Sequence, residues 1–341
     1  MIVVVWAAPF GGLMGGSVDN QAANGITLTM PGESFHGPTP ELDAAQAKVR
    51  DALQADVAKL AEQIGERNTH HYDKLMAAAT FLEKALAVAK YAVERQKYEV
   101  KGKTCFNLIA ELKGTRAPEQ IVVVGAHYDS ARGAPGANDN GSGVASLLAL
   151  ARAWADKKPE RTLRFVLFAN EEQPYFQTEA MGSLVYAKRC KERRENIVAM
   201  LALETMGYYS DRPDSQNYPF LLKTHYPTIG NFIGFVANSE STELVKRVVE
   251  TFRQEARVPS EGTALPGSLQ GVGWSDHWSF WQQGYPGVMV TDTALFRYPD
   301  YHKSTDTPDK LDYVRLTLVV DGLEKVLADL TAFHSPGSSP K

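Results

Sequence analysis

The spacing of apolar residues predicts two amphipathic helices in the first quarter of the chain, followed by alternating strands and helices. The helices cover residues 41–65 and about 75–89, where apolar side chains recur at helical spacing. Further on, we predict strands over 106–112, 121–126, 163–169, 197–203 and 287–290, and helices over 142–154, 181–191, 244–252 and 314–333. Apolar strands that alternate with amphipathic helices are typical of a parallel sheet buried on both faces. We therefore predict an α/β fold with a mainly parallel central sheet flanked by helices.

The same pattern divides the chain into a lead-in, one domain and a tail. Residues 1–40 are predicted to be an irregular lead-in that starts with an apolar run too short for a stable membrane span. We interpret this run as the remnant of an export signal and expect an exported protein, periplasmic or secreted. No linker follows the first helices, so residues 41–335 are predicted to form a single domain that includes them. The low-complexity residues 336–341 are predicted to be a flexible tail.

Composition and charge exclude several classes of partner and site. Hydrophobic residues make up 44% of the chain and charged residues 22%, which is ordinary for a globular protein with a large core. The net charge is −4, and the basic residues at 188–194 are interrupted by Glu192, so we predict no nucleic-acid partner. Cys105 and Cys190 lack the spacing of a thiolate metal site. Whether a disulfide joins them is left open by the sequence.

Carboxylates and a histidine follow three of the predicted buried strands, at the point where each strand ends. These residues are His127 and Asp129 after the first, Glu171 and Glu172 after the second, and Glu204 after the third. The carboxyl ends of parallel strands meet at one edge of a sheet, and open α/β sheets bind ligands there. Their convergence predicts a functional site at this edge.

Two loop residues complete a candidate metal site. Asp139 lies in PGANDNGSG, residues 135–143; alone it is typical of a helix cap, but near this edge its carboxylate can offer one oxygen to each of two metal ions. His302 lies in a polar loop after the strand at 287–290. Two histidines and three carboxylates suit zinc and satisfy two ions when one carboxylate bridges them. In the adjacent pair Glu171-Glu172, one side chain can then bind metal while the other faces the activated water.

Six segments resemble, in order and spacing, the zinc aminopeptidases of metallopeptidase family 28, and most of all its bacterial, leucyl aminopeptidase-like and mostly exported members. These segments are HYDS, PGANDNGSG, FANEE, LALETMGYYSD, SDHWSFWQQGYPGVMVTDT and YHKSTDTPDKLD. The resemblance covers roughly residues 65–335. It implies the zinc exopeptidase fold, which is phosphorylase/hydrolase-like, and two zinc ions per chain.

The resemblance also implies a role for each matching residue. His127 and Glu204 would bind one zinc ion, Glu172 and His302 the other, with Asp139 between them, Glu171 as general base and Tyr301 as a donor to the oxyanion. Asp129 would accept a hydrogen bond from His127, Asp276 would brace the site, and the Asp139–Asn140 peptide would be cis. Many relatives carry Asp where this chain has Glu204, whose longer side chain can still bind metal.

The function implied is hydrolysis of the N-terminal peptide bond of peptides with a free N-terminus. We predict an apolar pocket for the first side chain, lined by Met206, Met289, Phe296 and Tyr298, and hence a preference for large hydrophobic residues. Three alternatives stay open: a glutaminyl cyclase-like acyltransferase, a carboxypeptidase, or a binding protein with a dead site. The carboxypeptidase needs a buried cation, for which Arg297 is the nearby candidate, and the dead site needs lost ligands, whereas none is lost here.

Overall fold

A computed structural model describes residues 25–219 and 222–333 of the chain. The apolar run at residues 1–16 and the predicted tail at 336–341 lie outside the described residues. The described part of the lead-in is irregular, and its Thr27 forms an isolated antiparallel bridge with Ala264. No helix among the described residues is long and apolar enough to cross a membrane.

Eight strands form one sheet at the centre of the domain. They are β1 (Val93–Val100), β2 (Lys103–Leu112), β3 (Ala117–His127), β4 (Arg161–Phe168), β5 (Asn196–Glu204), β6 (Ile233–Asn238), β7 (Ser260–Leu265) and β8 (Gly287–Thr291), in the spatial order β1-β2-β4-β3-β5-β8-β6-β7. The central strands β4, β3, β5 and β8 are mutually parallel. β1 and β2 are antiparallel additions at one edge, whereas β6 runs antiparallel to β8 and parallel to β7 at the other. The predicted α/β fold is confirmed, with a sheet that is mixed at both edges.

Eight α-helices accompany the sheet. They are α1 (Ala44–Ala58), α2 (Tyr72–Val88), α3 (Gly143–Trp154), α4 (Gly182–Glu192), α5 (Thr242–Glu255), α6 (His277–Trp281), α7 (Ala294–Arg297) and α8 (Tyr313–Thr331) among the described residues. Asp43 is the N-cap of helix α1, and its side chain accepts hydrogen bonds from two backbone amides. The helix continues as a π-helical segment, Lys59–Ile64. This continuation explains why the apolar pattern predicted one helix up to residue 65.

The sheet is buried on both faces, which explains the continuous apolar runs of its central strands. In β3, Val122 and Val124 pack in the cluster that contains α1, α2, α3, α5 and α8, while Ile121 and Val123 pack with α4 and α6. Successive strand residues point to opposite faces, so both faces need apolar side chains. Cys105 and Cys190 are both buried and free, so no disulfide joins them.

Candidate functional site

The carboxyl ends of β3, β4 and β5 bring the predicted site residues into one buried cluster. His127 ends β3, Glu204 ends β5, and Glu171 and Glu172 follow β4. His127 Nε2 lies 3.1 Å from Glu204 Oε2 and 3.9 Å from Glu171 Oε2. These four residues are between 0 and 7% exposed, so their charges interact with little screening by water.

Asp139 lies between the two histidines. Its Oδ1 is 3.4 Å from His127 Nε2, and its Oδ2 is 2.9 Å from His302 Nε2. His302 Nε2 is in turn 3.3 Å from Glu172 Oε2. The ligand atoms therefore fall into two groups, His127–Asp139–Glu204 and Asp139–Glu172–His302, each with its atoms within 4.8 Å of one another. The structure brings all five predicted ligands together.

The donor atoms of these two groups are those that a metal ion requires. Both oxygens of Asp139 and Oε1 of Glu172 are buried and make no hydrogen bond of proper geometry within the described residues. Such unpaired buried groups are costly unless an ion or water satisfies them.

The electrostatics of the cluster also favour a bound cation. Burial raises the pKa of Glu171 well above its usual range, and the neighbouring Glu204 and Glu172 add to the rise. Burial and the nearby Asp139 likewise raise the pKa of Glu172 to about 7. Burial opposes the charged form of His302, but its contacts with Asp139 and Glu172 outweigh this and raise its pKa to about 11. Metal cations would relieve the repulsion between these carboxylates.

Asp129 supports the site through hydrogen bonds with the backbone and not, as predicted, with His127. Its Oδ1 lies 3.6 Å from His127 Nδ1, which is longer than a hydrogen bond. Instead, the carboxylate accepts hydrogen bonds from the backbone N–H groups of Glu171 at 3.1 Å and Glu172 at 3.2 Å. Asp129 therefore fixes the turn that carries both glutamates. The predicted hydrogen bond from His127 to Asp129 is not formed.

Three residues that the sequence did not single out hold the candidate ligands in place. Asp306 accepts hydrogen bonds from the backbone N–H groups of Asn138 at 2.8 Å and Asp139 at 3.1 Å. Ser275 donates from its hydroxyl to Glu204 Oε2 at 2.7 Å. The fully buried Arg67 donates to the carbonyls of residues 128, 135 and 136 at 2.5–2.9 Å. No local pattern marks Arg67, because its partners lie more than sixty residues away in the chain.

The loop that presents Asp139 has an unusual backbone. The Asp139–Asn140 peptide is cis, as the resemblance implies. Gly136 has φ 67°, and a Cβ at this position would lie 2.4 Å from the carbonyl oxygen of Asp139, so only glycine fits. The side chain of Asn140 donates to the Leu203 carbonyl at 2.7 Å and accepts from the N–H of Thr205 at 3.1 Å. These bonds tie the loop to the end of β5.

Asp276 and Tyr301 flank the cluster. Asp276 precedes α6 and is buried, with both carboxylate oxygens unpaired among the described residues. Burial raises its pKa to about 7. The ring of Tyr301 stacks on that of His302, with 3.9 Å between centroids and 17° between planes. His277, the first residue of α6, donates from Nε2 to the Val272 carbonyl at 2.7 Å and does not belong to either group of candidate metal ligands.

An apolar cavity of about 120 Å³ opens beside the cluster. Glu204 and Tyr301 lie on its wall, and so do two of the four predicted pocket residues, Met289 and Phe296. The other two predicted pocket residues, Met206 and Tyr298, do not line the cavity. Met206 is fully buried in the core below the sheet edge, and Tyr298 is buried with its hydroxyl donating to Asp306 Oδ1 at 2.9 Å. The sequence pattern showed that these side chains are apolar but not which way they point.

Arg297 does not face this cavity. Its side chain is buried and donates hydrogen bonds to Gln216 Oε1 at 2.7 Å and to the Phe232 carbonyl at 2.8 Å. No Lys, Arg or His among the described residues lines the cavity. The cation that a carboxypeptidase would need for the substrate carboxylate is therefore missing from this wall.

Comparison with known proteins identifies relatives of the chain. The sequence profile described as Peptidase family M28 matches residues 107–326, more than half of the chain. The uncharacterized protein YfbL of Escherichia coli is 33% identical over 286 residues, which cover 81% of this chain and 87% of YfbL. Leucine aminopeptidase 1 of Arthroderma otae is 27% identical over 310 residues, covering 84% of this chain and 76% of the relative.

Solved structures share the fold. BSAP, a zinc aminopeptidase from Bacillus subtilis, superimposes with a TM-score of 0.67 at 15% identity, over 85% of this chain and 96% of that structure. A glutaminyl cyclase of Bacteroides thetaiotaomicron superimposes with a TM-score of 0.63 at 17% identity, over 86% and 99% of the two chains. The fold is therefore common to aminopeptidases and cyclases, and only the site can separate the two activities.

Proposed function

Because the chain belongs to peptidase family M28, we propose that it is a zinc-dependent aminopeptidase that hydrolyses the N-terminal peptide bond of peptides with a free α-amine. The observation that carries this proposal is the pair of ligand groups that share Asp139, with a further buried carboxylate, Glu171, outside both groups. The leucine aminopeptidase among the relatives is consistent with it. We also propose export, on the apolar run at residues 1–16 alone.

In this proposal His127, Asp139 and Glu204 hold one zinc ion, and Asp139, Glu172 and His302 hold a second. Zinc at such a site supplies Lewis-acid chemistry: it polarises a carbonyl and makes water more acidic. The chain contributes the positions of the ligands. Asp306 and Arg67 fix the Asp139 loop, and Asp129 fixes the two glutamates.

Glu171 is the general base. Its carboxylate lies at the site without belonging to either ligand group, and its raised pKa suits a group that accepts a proton and later returns it. It takes the proton of the attacking water and transfers it to the leaving amine. A single carboxylate can serve both steps because the two proton transfers follow one another at the same place.

Tyr301 and Glu204 orient the substrate. Tyr301 lines the cavity and its ring stacks on that of His302. In this proposal its hydroxyl donates a hydrogen bond to the oxygen that becomes negative during attack. Glu204 faces the same cavity and accepts from the substrate α-amine, which restricts cleavage to the first peptide bond. The apolar cavity then receives the first side chain.

The alternatives fit the site less well. A carboxypeptidase has no cation on the described cavity wall, and a dead site would not keep every ligand of both groups. The cyclase remains the second candidate because glutaminyl cyclases share the fold. We rank it lower because the retained second ligand group has a direct use in hydrolysis.

The direct test is cleavage of leucyl and arginyl p-nitroanilide by the zinc-loaded protein, with the N-acetylated forms of both as matched controls. We expect release of nitroaniline from the free-amine substrates only, its loss after chelation, and its recovery when zinc is added back. Cleavage of acetylated and free substrates at equal rates would refute an aminopeptidase. Conversion of a glutaminyl peptide to its pyroglutamyl form, without any nitroaniline release, would support the cyclase.

A further inference from the structure

A second carboxylate, remote from the metal ligands, faces the apolar cavity. Glu261 lines the cavity, and its side chain is 23% exposed. Two cations lie near its carboxylate, Arg253 and His36, and the Nη2 of Arg253 lies 3.7 Å from Glu261 Oε2, too far for a hydrogen bond. A carboxylate on an apolar wall that accepts no hydrogen bond from the protein is unusual, because polar groups away from water are generally hydrogen-bonded.

Arg253 cannot turn to complete this pair. It donates hydrogen bonds to Ser260 and, through Nη1, to the three consecutive carbonyls of residues 30–32 at 3.0–3.2 Å. The guanidinium is therefore held behind the cavity wall by neutral acceptors and by the lead-in segment. The positive charge of Arg253 attracts the Glu261 carboxylate but the two groups form no hydrogen bond. The carboxylate oxygens can therefore accept hydrogen bonds from a ligand.

The register of the sheet places Glu261 opposite Glu204 across the cavity. Glu204 pairs with Thr291, Thr291 with Gly234, and Gly234 with Glu261, in one row over four neighbouring strands. Residues paired in this way have side chains on the same face. β6 and β7 run opposite to β5 and β8 in this part of the sheet, so their first residues lie at the edge that carries the metal ligands.

The row of residues from Glu204 to Glu261 forms the floor of the cavity, and Gly234 gives this floor the shape of a slot. It lines the cavity and has no side chain, so the floor is low between Thr291 and Glu261. A Cβ at Gly234 would lie 3.3 Å from Thr293 Cγ2 and would narrow that space. Residues two positions along each strand, such as Val236, Thr263 and Met289, also line the cavity, as expected of one sheet face.

The length of the slot suits one class of side chain. Three interstrand steps of about 4.8 Å place the two glutamate Cα atoms about 14 Å apart, with both side chains on the same face of the sheet. An extended lysine or arginine spans about 8 Å from its α-nitrogen to its terminal nitrogen. With a charged hydrogen bond of about 2.8 Å at each end, the total is about 13–14 Å. A leucine would fill only the half of the slot next to Glu204.

The walls suit the stem of such a side chain. Tyr218, Tyr226 and Phe296 line the cavity, and the hydroxyls of the two tyrosines donate to backbone carbonyls at 2.6 and 3.0 Å. Their rings are left to contact aliphatic carbons or a cation.

We propose that Glu261 binds the cationic end of an N-terminal lysine or arginine while Glu204 holds its α-amine, so that this aminopeptidase selects peptides with a basic first residue. The apolar walls take the aliphatic stem, which refines the preference for large hydrophobic residues predicted from the sequence. This inference rests on the proposed function, because the position of the α-amine comes from it.

The test compares lysine with norleucine, which has the same chain length without the ε-amine. Binding of each free amino acid to the zinc-loaded protein is measured by calorimetry, and cleavage of lysyl, arginyl and leucyl p-nitroanilide is measured in parallel. Glu261→Gln is the test variant because it keeps the volume of the side chain. Glu255→Gln, at an exposed position at the end of α5, is the matched control.

We expect lysine to bind the unmodified protein at least about tenfold more tightly than norleucine, since a hydrogen bond between charged groups contributes about ten- to hundredfold. Glu261→Gln should remove that advantage and lower kcat/KM for the basic substrates by about the same factor, with leucyl p-nitroanilide changed less than about threefold. Glu255→Gln should change neither. Equal binding of lysine and norleucine, or an advantage that survives in Glu261→Gln, would overturn the inference.

The two readouts separate the two proposals. Cleavage of leucyl p-nitroanilide without a preference for lysine would leave the aminopeptidase standing and refute the role of Glu261. A lysine preference that depends on Glu261, without cleavage of any p-nitroanilide, would support the role of Glu261 and count against the proposed hydrolysis.

Discussion

Glu171→Gln is expected to lower kcat by about 10²–10⁴-fold while leaving the zinc content unchanged. The substitution keeps the size of the side chain but removes the carboxylate that, in the proposed mechanism, accepts the proton of the water. Glu171 belongs to neither ligand group, so the metal ligands stay complete. The measurement is steady-state kinetics on an aminoacyl p-nitroanilide together with metal analysis of the purified variant. KM should change much less than kcat, because the loss falls on the chemical step.

Glu192→Gln serves as the control, because it makes the same change at an exposed position at the end of α4. It should retain full activity. Two results would count against the role of Glu171. Activity within about threefold of the unmodified protein would show that another group takes the proton, and a variant without zinc would show that Glu171 is a ligand.

Asp139→Asn is expected to remove bound zinc and activity together. Asp139 is the only described residue that belongs to both ligand groups, with one oxygen 3.4 Å from His127 Nε2 and the other 2.9 Å from His302 Nε2. An amide offers one neutral oxygen where the carboxylate offers two that share a negative charge. We expect kcat/KM to fall by about 10³-fold or more, because metal chemistry contributes several kcal/mol to the barrier.

Zinc retention after dialysis is measured by mass spectrometry of the metal, on the variant and on Asp309→Asn. Asp309 is exposed, so its substitution should leave metal and activity intact. If Asp139→Asn keeps as much zinc as the unmodified protein and loses less than tenfold in activity, Asp139 does not join the two groups.

The sequence predicted the centre of the fold well and its edges poorly. Strands β3, β4 and β5 are apolar throughout because both faces of the sheet are covered, and this pattern is unambiguous. β1 was not predicted, because most of the residues in VERQKYEV are polar and it lies at an exposed edge. The short strands β6 and β7 contain glycine and polar residues, and they form mainly through pairing with their neighbours.

The candidate site was predictable where a residue is tied to a strand end or to a motif. His127, Glu171, Glu172 and Glu204 are of this kind, and the structure brings them together. Contacts between distant parts of the chain were not predictable, which is why Arg67 did not emerge. Side-chain direction within irregular segments was also out of reach, and the placement of Met206 and Tyr298 was wrong for this reason.

The position of bound zinc tests the central claim most directly. Crystals of the zinc-loaded protein would be measured at the zinc absorption edge, where anomalous scattering locates the metal without reference to any assumed role. We predict two peaks, one in contact with His127 and Glu204, the other with Glu172 and His302, and both with Asp139. Zinc held by other residues, or no zinc at these five side chains, would contradict the account.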